Sequence, residues 1–302
     1  MKTVFALMNR NRKLFFRDKG MLFSSLITPV ILIVLYATFL ANVYRDSFTS
    51  SLPEFIQISK KLINGTVAAQ LGAALLAVTC VTVTFCVNLT MVQDRANGAR
   101  KDFDVSPVSK PALYISYLLS TVCNSLMVNA VALGMCLLYI AKMGWYLSGT
   151  DILKLILDVV LLVLFGAVLS GIICYPLKTQ GQLSAVGTIV SAGYGFICGA
   201  YMPISNFGKE LQNFLSYLPG TYGTALLKNH MLRGVFEEMK SSGFPDEVVT
   251  GIADSLDCNP VFGGNVIGIT EMVCIMIGSI CLLGIIYFVL TGLKSLQIKS
   301  QG

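Results

Sequence analysis

Charge in this chain is scarce and concentrated, and one short stretch holds most of what could make a specific contact. From Gln93 to Lys110 the sequence reads Gln93-Asp94-Arg95-Ala96-Asn97-Gly98-Ala99-Arg100-Lys101-Asp102-Phe103-Asp104-Val105-Ser106-Pro107-Val108-Ser109-Lys110. Its four basic and three acidic side chains cannot sit in hydrocarbon, so the connection lies in water between two apolar runs. Phe103 and Val105 are its apolar exceptions. Ser106-Pro107 supplies a stop, because a residue before proline is pushed out of the helical region. The pattern predicts a short docking helix that a soluble partner can hold. Elsewhere the chemistry is sparse. Lys154 and Asp158 stand four apart and are expected to pair on one helix face. Asn88, Asn124 and Asn129 are expected to hydrogen-bond between helices, and Glu271 to face a cavity or headgroups. His230 is the single histidine, and no H-E-x-x-H or G-x-S-x-G pattern occurs, which argues against an enzyme acting within the membrane.

The elements that must position these residues are apolar. The chain has 302 residues, 55% of them hydrophobic and only 13% charged, where a soluble domain needs about a quarter charged. It reads as an all-α integral membrane protein. Six stretches are long enough to span about 30 Å of hydrocarbon: Met21–Asn42, Thr66–Val92, Pro111–Ala141, Ile152–Tyr175, Gln182–Ala200 and Val266–Leu290. Six spans put both termini on one side. Lys2, Arg10, Arg12, Lys13, Arg17 and Lys19 precede the first span, and Arg95, Arg100, Lys101, Lys110, Lys178, Lys294 and Lys299 share its side. The positive-inside rule makes that side, and both termini, cytoplasmic. Trp145 and Tyr146 suit the outer aromatic belt.

The net charge of +6 follows from this topology: the basic residues match headgroups rather than a nucleic-acid track. Eight of the nine cysteines lie in apolar runs as small hydrophobes, Cys258 stands in a polar stretch, and no C-x-x-C pair points to metal or redox work. Residues 1–20, with Val4, Leu7, Met8, Leu14 and Phe15 at near-helical spacing, predict an interfacial helix rather than a signal peptide. The outer connection, 201–265, predicts two short helices dipping into the outer leaflet around Pro203 and Pro219. After them comes an exposed amphipathic helix with Val248, Val249, Ile252 and Leu256 on one side. Gly187, Ser191, Gly195 and Gly199 recur every fourth residue in the fifth span, giving a smooth face for close helix packing.

Three regions carry a family resemblance. They are the basic N-terminal segment, the run Asp94-Arg95…Gly98…Arg100…Ser106-Pro107-Val108-Ser109-Lys110, and Gly199-Ala200-Tyr201-Met202-Pro203…Leu211…Leu218-Pro219…Tyr222…Leu232-Arg233. In this order they resemble the membrane subunit of type-2 ATP-binding-cassette (ABC) exporters over essentially residues 1–302. Asp94 stands where that family commonly has glutamate, and the acidic segment 246–257 varies across it. The resemblance implies a single transmembrane domain with its coupling helix at 93–110 and an outward re-entrant hairpin between spans five and six. The chain has no Gly-Lys-Ser or Gly-Lys-Thr; its one Gly-Lys pair, Gly208-Lys209, precedes Glu210. The resemblance therefore implies a separate ATPase subunit that binds ATP and Mg, and no cofactor on this chain. It also implies a second permease subunit and the plasma membrane as location. Asp94, Arg95, Arg100, Lys101 and Phe103 are expected to carry the ATPase contact. The glycine face is expected to pack against the partner permease or within the subunit. Drugs, peptides, lipids and lipid-linked glycans all remain open as substrates. An ion-driven transporter or a membrane sensor or immunity protein are the competing readings.

Overall fold

The computed structural model describes residues 2–35, 42 and 59–299, and these are almost entirely helical. In chain order the helices are α1 (Lys2–Arg17), α2 (Lys19–Leu35), α3 (Lys60–Ala96), α4 (Ala99–Asp104), α5 (Lys110–Met143), α6 (Gly149–Cys174) and α7 (Gln180–Ile197). After a 3-10 turn at Ile204–Asn206 come α8 (Lys209–Ser216), α9 (Pro219–Ser241), α10 (Asp246–Ser255) and α11 (Ile269–Lys299). A two-residue-strand hairpin, β1 (Val261–Phe262) with β2 (Asn265–Val266), precedes α11. Its turn is Gly263-Gly264 at φ 57° and 88°, a conformation that glycine adopts without penalty.

α3 is the hub. It is apolar on every side rather than along one stripe, so it belongs inside a bundle. α2, α5, α6, α7 and α9 all pack on it. Its threonines need no partner from elsewhere: the Thr79, Thr82, Thr84 and Thr90 hydroxyls donate to carbonyls three or four residues back. Gly166 lets α6 approach closely, since a Cβ there would stand 2.5 Å from Thr84 Oγ1. α6 begins with a capping box between Ser148 and Asp151, and α7 with one between Thr179 and Gln182.

Four described helices are long and apolar enough to cross a membrane: Lys60–Ala96, Lys110–Met143, Gly149–Cys174 and Ile269–Gly292. These match the second, third, fourth and sixth expected spans. The first, Met21–Asn42, coincides with α2 as far as Leu35; of its remaining residues only Asn42 lies within the described ones. The fifth corresponds to α7, whose 18 residues reach about 27 Å, with two glutamines and four glycines diluting its hydropathy. α5, α6 and α11 turn large apolar side chains outward, among them Val131, Leu138, Leu157, Leu282 and Ile285. No described residue covers these faces, as suits helices bathed in lipid.

The connection 201–265 departs from expectation in one respect. Its second helix, α9, is 23 residues long and lies within the bundle, packed on α3, α6 and α11. Its polar side chains are paired within the bundle. Lys228, 1% exposed, donates to the Gly199 carbonyl at 3.0 Å and lies 3.4 Å from Asp257. α10 is amphipathic as expected, burying Val249, Ile252 and Leu256.

Candidate functional site

The charged stretch after α3 folds into a compact end-piece of the bundle. α3 ends at Ala96, the Asn97 N–H donates to the Gln93 carbonyl at 2.9 Å, and Gly98 at φ +80° reverses the chain into α4. An L-residue pays about 1–2 kcal/mol for that left-handed conformation, so glycine is suited to the corner. α5 starts at Lys110 with Pro111 in its first turn, where the missing N–H costs nothing.

Three contacts fasten α4 and its flanks. The first centres on Asp94, buried at 7% exposure. Its carboxylate accepts from Arg10 through Nη1 at 2.5 Å and Nη2 at 3.0 Å, and from the Tyr117 hydroxyl at 2.5 Å. One aspartate thus ties α1, α3 and α5 together. Its hydrogen bonds hold the Arg10 guanidinium above its ordinary range, against the opposing cost of burial. Phe103 extends the same cluster, with its ring 5.0 Å below the Arg10 guanidinium. The second contact is Arg95, whose Nη1 donates to the carbonyls of Tyr175 at 2.5 Å, Leu177 at 2.9 Å and Cys174 at 3.2 Å. A cation on the C-terminal carbonyls of α6 satisfies acceptors that the helix leaves open and suits its dipole. The third is Arg100, over the Tyr114 ring at 5.1 Å with Nε 3.5 Å from Asp104.

Of the residues expected at a partner contact, Asp94 and Phe103 turn inward and Arg95 is spent on α6. Arg100 is half-buried against Tyr114, and Lys101 is exposed. The outward surface is Lys101, Asp102, Asp104 and Val105. Val105, 88% exposed, is the most exposed large apolar side chain among the described residues. The sequence marked it only as an apolar exception; its position just past the helix end, beside Ser106-Pro107, is the signal that separates it from Phe103. Arg10 was also missed as a site residue, being counted among charges that only set topology.

The glycine stripe meets its own chain mainly at its C-terminal end, where Gly199 lies past the end of α7 at φ +70°. A Cβ on Gly195 would fall 2.3 Å from the Tyr201 ring, one on Gly199 2.8 Å from Ile204, and one on Gly187 3.6 Å from Leu89. Ser191 offers its carbonyl 3.5 Å from the Tyr201 hydroxyl. The adjoining flank of the helix, with Ser184, Ala185, Thr188 and Ala192, is exposed. Pro203 and Pro219 mark the starts of the 3-10 turn and of α9. Asp257 joins this end, accepting from the Ile204 N–H at 2.6 Å and the Ser205 N–H at 3.3 Å. Asp158 pairs with His230 of α9 at 2.6 Å, while Lys154 points to the exterior. The expected pair of Asp158 with Lys154 therefore does not form, because a helix closer to the carboxylate supplies the partner. Asn88 bonds Ser170 of α6, as expected between helices. Asn129 instead bonds its own helix at Ser125, and the Asn124 amide is buried without a partner. Glu271 accepts from the Gly268 N–H at 3.0 Å and caps the start of α11.

A helical bundle with lipid-facing apolar exteriors and a fastened charged helix between two spans defines a multi-pass membrane protein with a docking element. The ABC-2 type transporter family model matches residues 2–232, and the chain belongs to that family. It is a membrane permease component of an ABC transporter rather than the ATPase. A search of curated proteins finds no match to it.

Proposed function

We propose that this chain is the membrane-spanning subunit of an ATP-driven exporter and that α4 is the element through which a separate ATPase moves it. The observation that carries the proposal is the mounting of α4. Asp94, Arg10 and Tyr117 join α1, α3 and α5, and Arg95 joins α3 to the end of α6. Phe103 and Arg100 of α4 rest on Arg10 and Tyr114, so a push on α4 reaches four helices as one body, while Lys101, Asp102 and Val105 face outward to meet a partner. Packed elements switch between discrete arrangements rather than deforming continuously, which suits alternating access.

In this reading six spans place both termini and α4 in the cytoplasm of a cell whose plasma membrane holds the protein. ATP and Mg bind the partner subunit, and a second permease subunit meets the exposed Ser184, Thr188 and Ala192 face of α7. The segment 201–265 forms the outward re-entrant and loop region, with Pro203 and Pro219 at its bends. An amphipathic molecule is the substrate: a drug, peptide, lipid or glycolipid. The test is co-purification in mild detergent. A nucleotide-hydrolysing subunit should accompany the wild-type chain and be lost with Val105→Asp or Lys101→Glu, both of which alter only exposed side chains. A clean chain with no ATPase would instead favour an ion-driven transporter or a sensor.

A further inference from the structure

A cavity of about 380 Å³ opens beside α4, lined by Arg95, Arg100, Lys101, Asp104, Lys110, Tyr114, Tyr175 and Lys178, with Gly98 and Pro176. Five cations and one carboxylate converge there from four segments: the end of α3, α4, the start of α5, and the turn between α6 and α7. Arg95 supplies charge rather than free donors, since its guanidinium serves the carbonyls that end α6. Arg100 is different. Its Nε meets Asp104 at 3.5 Å, and its Nη1 is buried without an acceptor. Among the described residues the Lys101, Lys110 and Lys178 ammonium groups have no ion-pair partner. A site with surplus cations and an orphan guanidinium donor is incomplete by itself, because unmatched buried donors are costly.

We propose that this cavity binds the phosphodiester headgroup of an anionic membrane lipid. Three features of the site support this occupant. Guanidinium groups donate to phosphate oxygens in a matched planar fork, which a rotamer change of Arg100 makes available here. The walls include Tyr114, Tyr175 and Pro176 at the ends of apolar helices, the level at which headgroups and amphipathic aromatics meet. Basic pockets formed where membrane helices end are suited to anionic headgroups. A lipid bound there would bridge α4 to the α6–α7 turn and steady the docking element. The inference concerns occupancy of this cavity and does not depend on which protein docks at α4.

The experiment uses the full chain in mild detergent and native mass spectrometry, with phosphatidylglycerol and phosphatidylcholine offered together. The variant is Lys110→Gln with Lys178→Gln, which leaves α4 untouched and changes two side chains without partners. Wild-type protein should retain phosphatidylglycerol preferentially, and the double variant should retain about thirtyfold less, as expected for two lost cations near a headgroup. Circular dichroism of the variant should match the wild type. Equal retention of the two lipids, or a preference that survives the double variant, would overturn the proposal. Millimolar inorganic phosphate taken up with no lipid preference would assign the donors to a free phosphate and overturn the headgroup. Unchanged lipid retention with loss of a co-purifying protein would give the cavity to an acidic side chain of that protein.

Discussion

Breaking the Arg10–Asp94 pair gives a number that can be worked from the geometry. Asp94 is buried and accepts three hydrogen bonds, two of them from Arg10. Removing one partner of a buried ion pair costs about 3–5 kcal/mol, since the other charge is left uncompensated. The Arg10 side chain is 33% exposed, so water reaches one end of the pair and the loss is smaller. Arg10→Gln should therefore cost about 2–3 kcal/mol. Asp94→Asn should cost about 1–2 kcal/mol, because Arg10 can turn to solvent and Tyr117 retains an acceptor. The double variant replaces a charged set with a neutral one and should cost no more than about 2 kcal/mol. The cycle thus contains a coupling of about 1–3 kcal/mol. At about 2–3 °C per kcal/mol for a chain of this size, Arg10→Gln lowers Tm by about 4–9 °C. The assay is thermal unfolding in detergent of the wild type, both singles and the double. Additivity within about 0.5 kcal/mol would refute the claim that this pair joins α1 to the end of α3.

Gly195→Leu should destabilise the single subunit, because the side chain meets the Tyr201 ring, and Tyr201→Ala should partly restore it. A variant with normal Tm that fails only in subunit association would instead place this face at the partner. Asp257→Ala should leave Lys228 buried without its carboxylate and free the Ile204 and Ser205 N–H groups. Faster proteolysis near 199–206 is expected, with a loss of about 3 kcal/mol; wild-type cleavage kinetics would count against the clamp. Asn124→Leu removes an amide buried without a partner, so Tm should hold or rise, by up to about 1–3 kcal/mol of stability. A marked fall in Tm would mean that the amide is hydrogen-bonded in the working protein.

What the sequence conveyed well depends on composition within a window. α3, α5, α6 and α11 are long apolar runs, α10 repeats its apolar residues at helical spacing, and the charged break with Ser106-Pro107 gives away α4. What it conveyed poorly depends on partners far along the chain. α9 reads in the sequence as a short dipping helix, yet Lys228 and His230 hold it in the bundle through Asp257 and Asp158, 29 and 72 residues away. Helical spacing put Lys154 beside Asp158, but spacing does not say which neighbour a packed bundle brings closer. Asp94 and Phe103 had the right chemistry for a docking surface and the wrong direction. Arg10, 84 residues upstream of Asp94, draws both inward. The smooth face of α7 was visible as a pattern; that Tyr201, six residues beyond Gly195, folds back to fill it was not.

The most direct test of the central claim is a photoreactive amino acid placed at Val105, with Val261 of the β1–β2 hairpin as control, cross-linked in intact cells. An adduct to a nucleotide-hydrolysing subunit at Val105 and none at Val261 is the predicted result. No ATPase adduct at Val105, or one at Val261 alone, would contradict the assignment of α4 as the element that an ATPase grips.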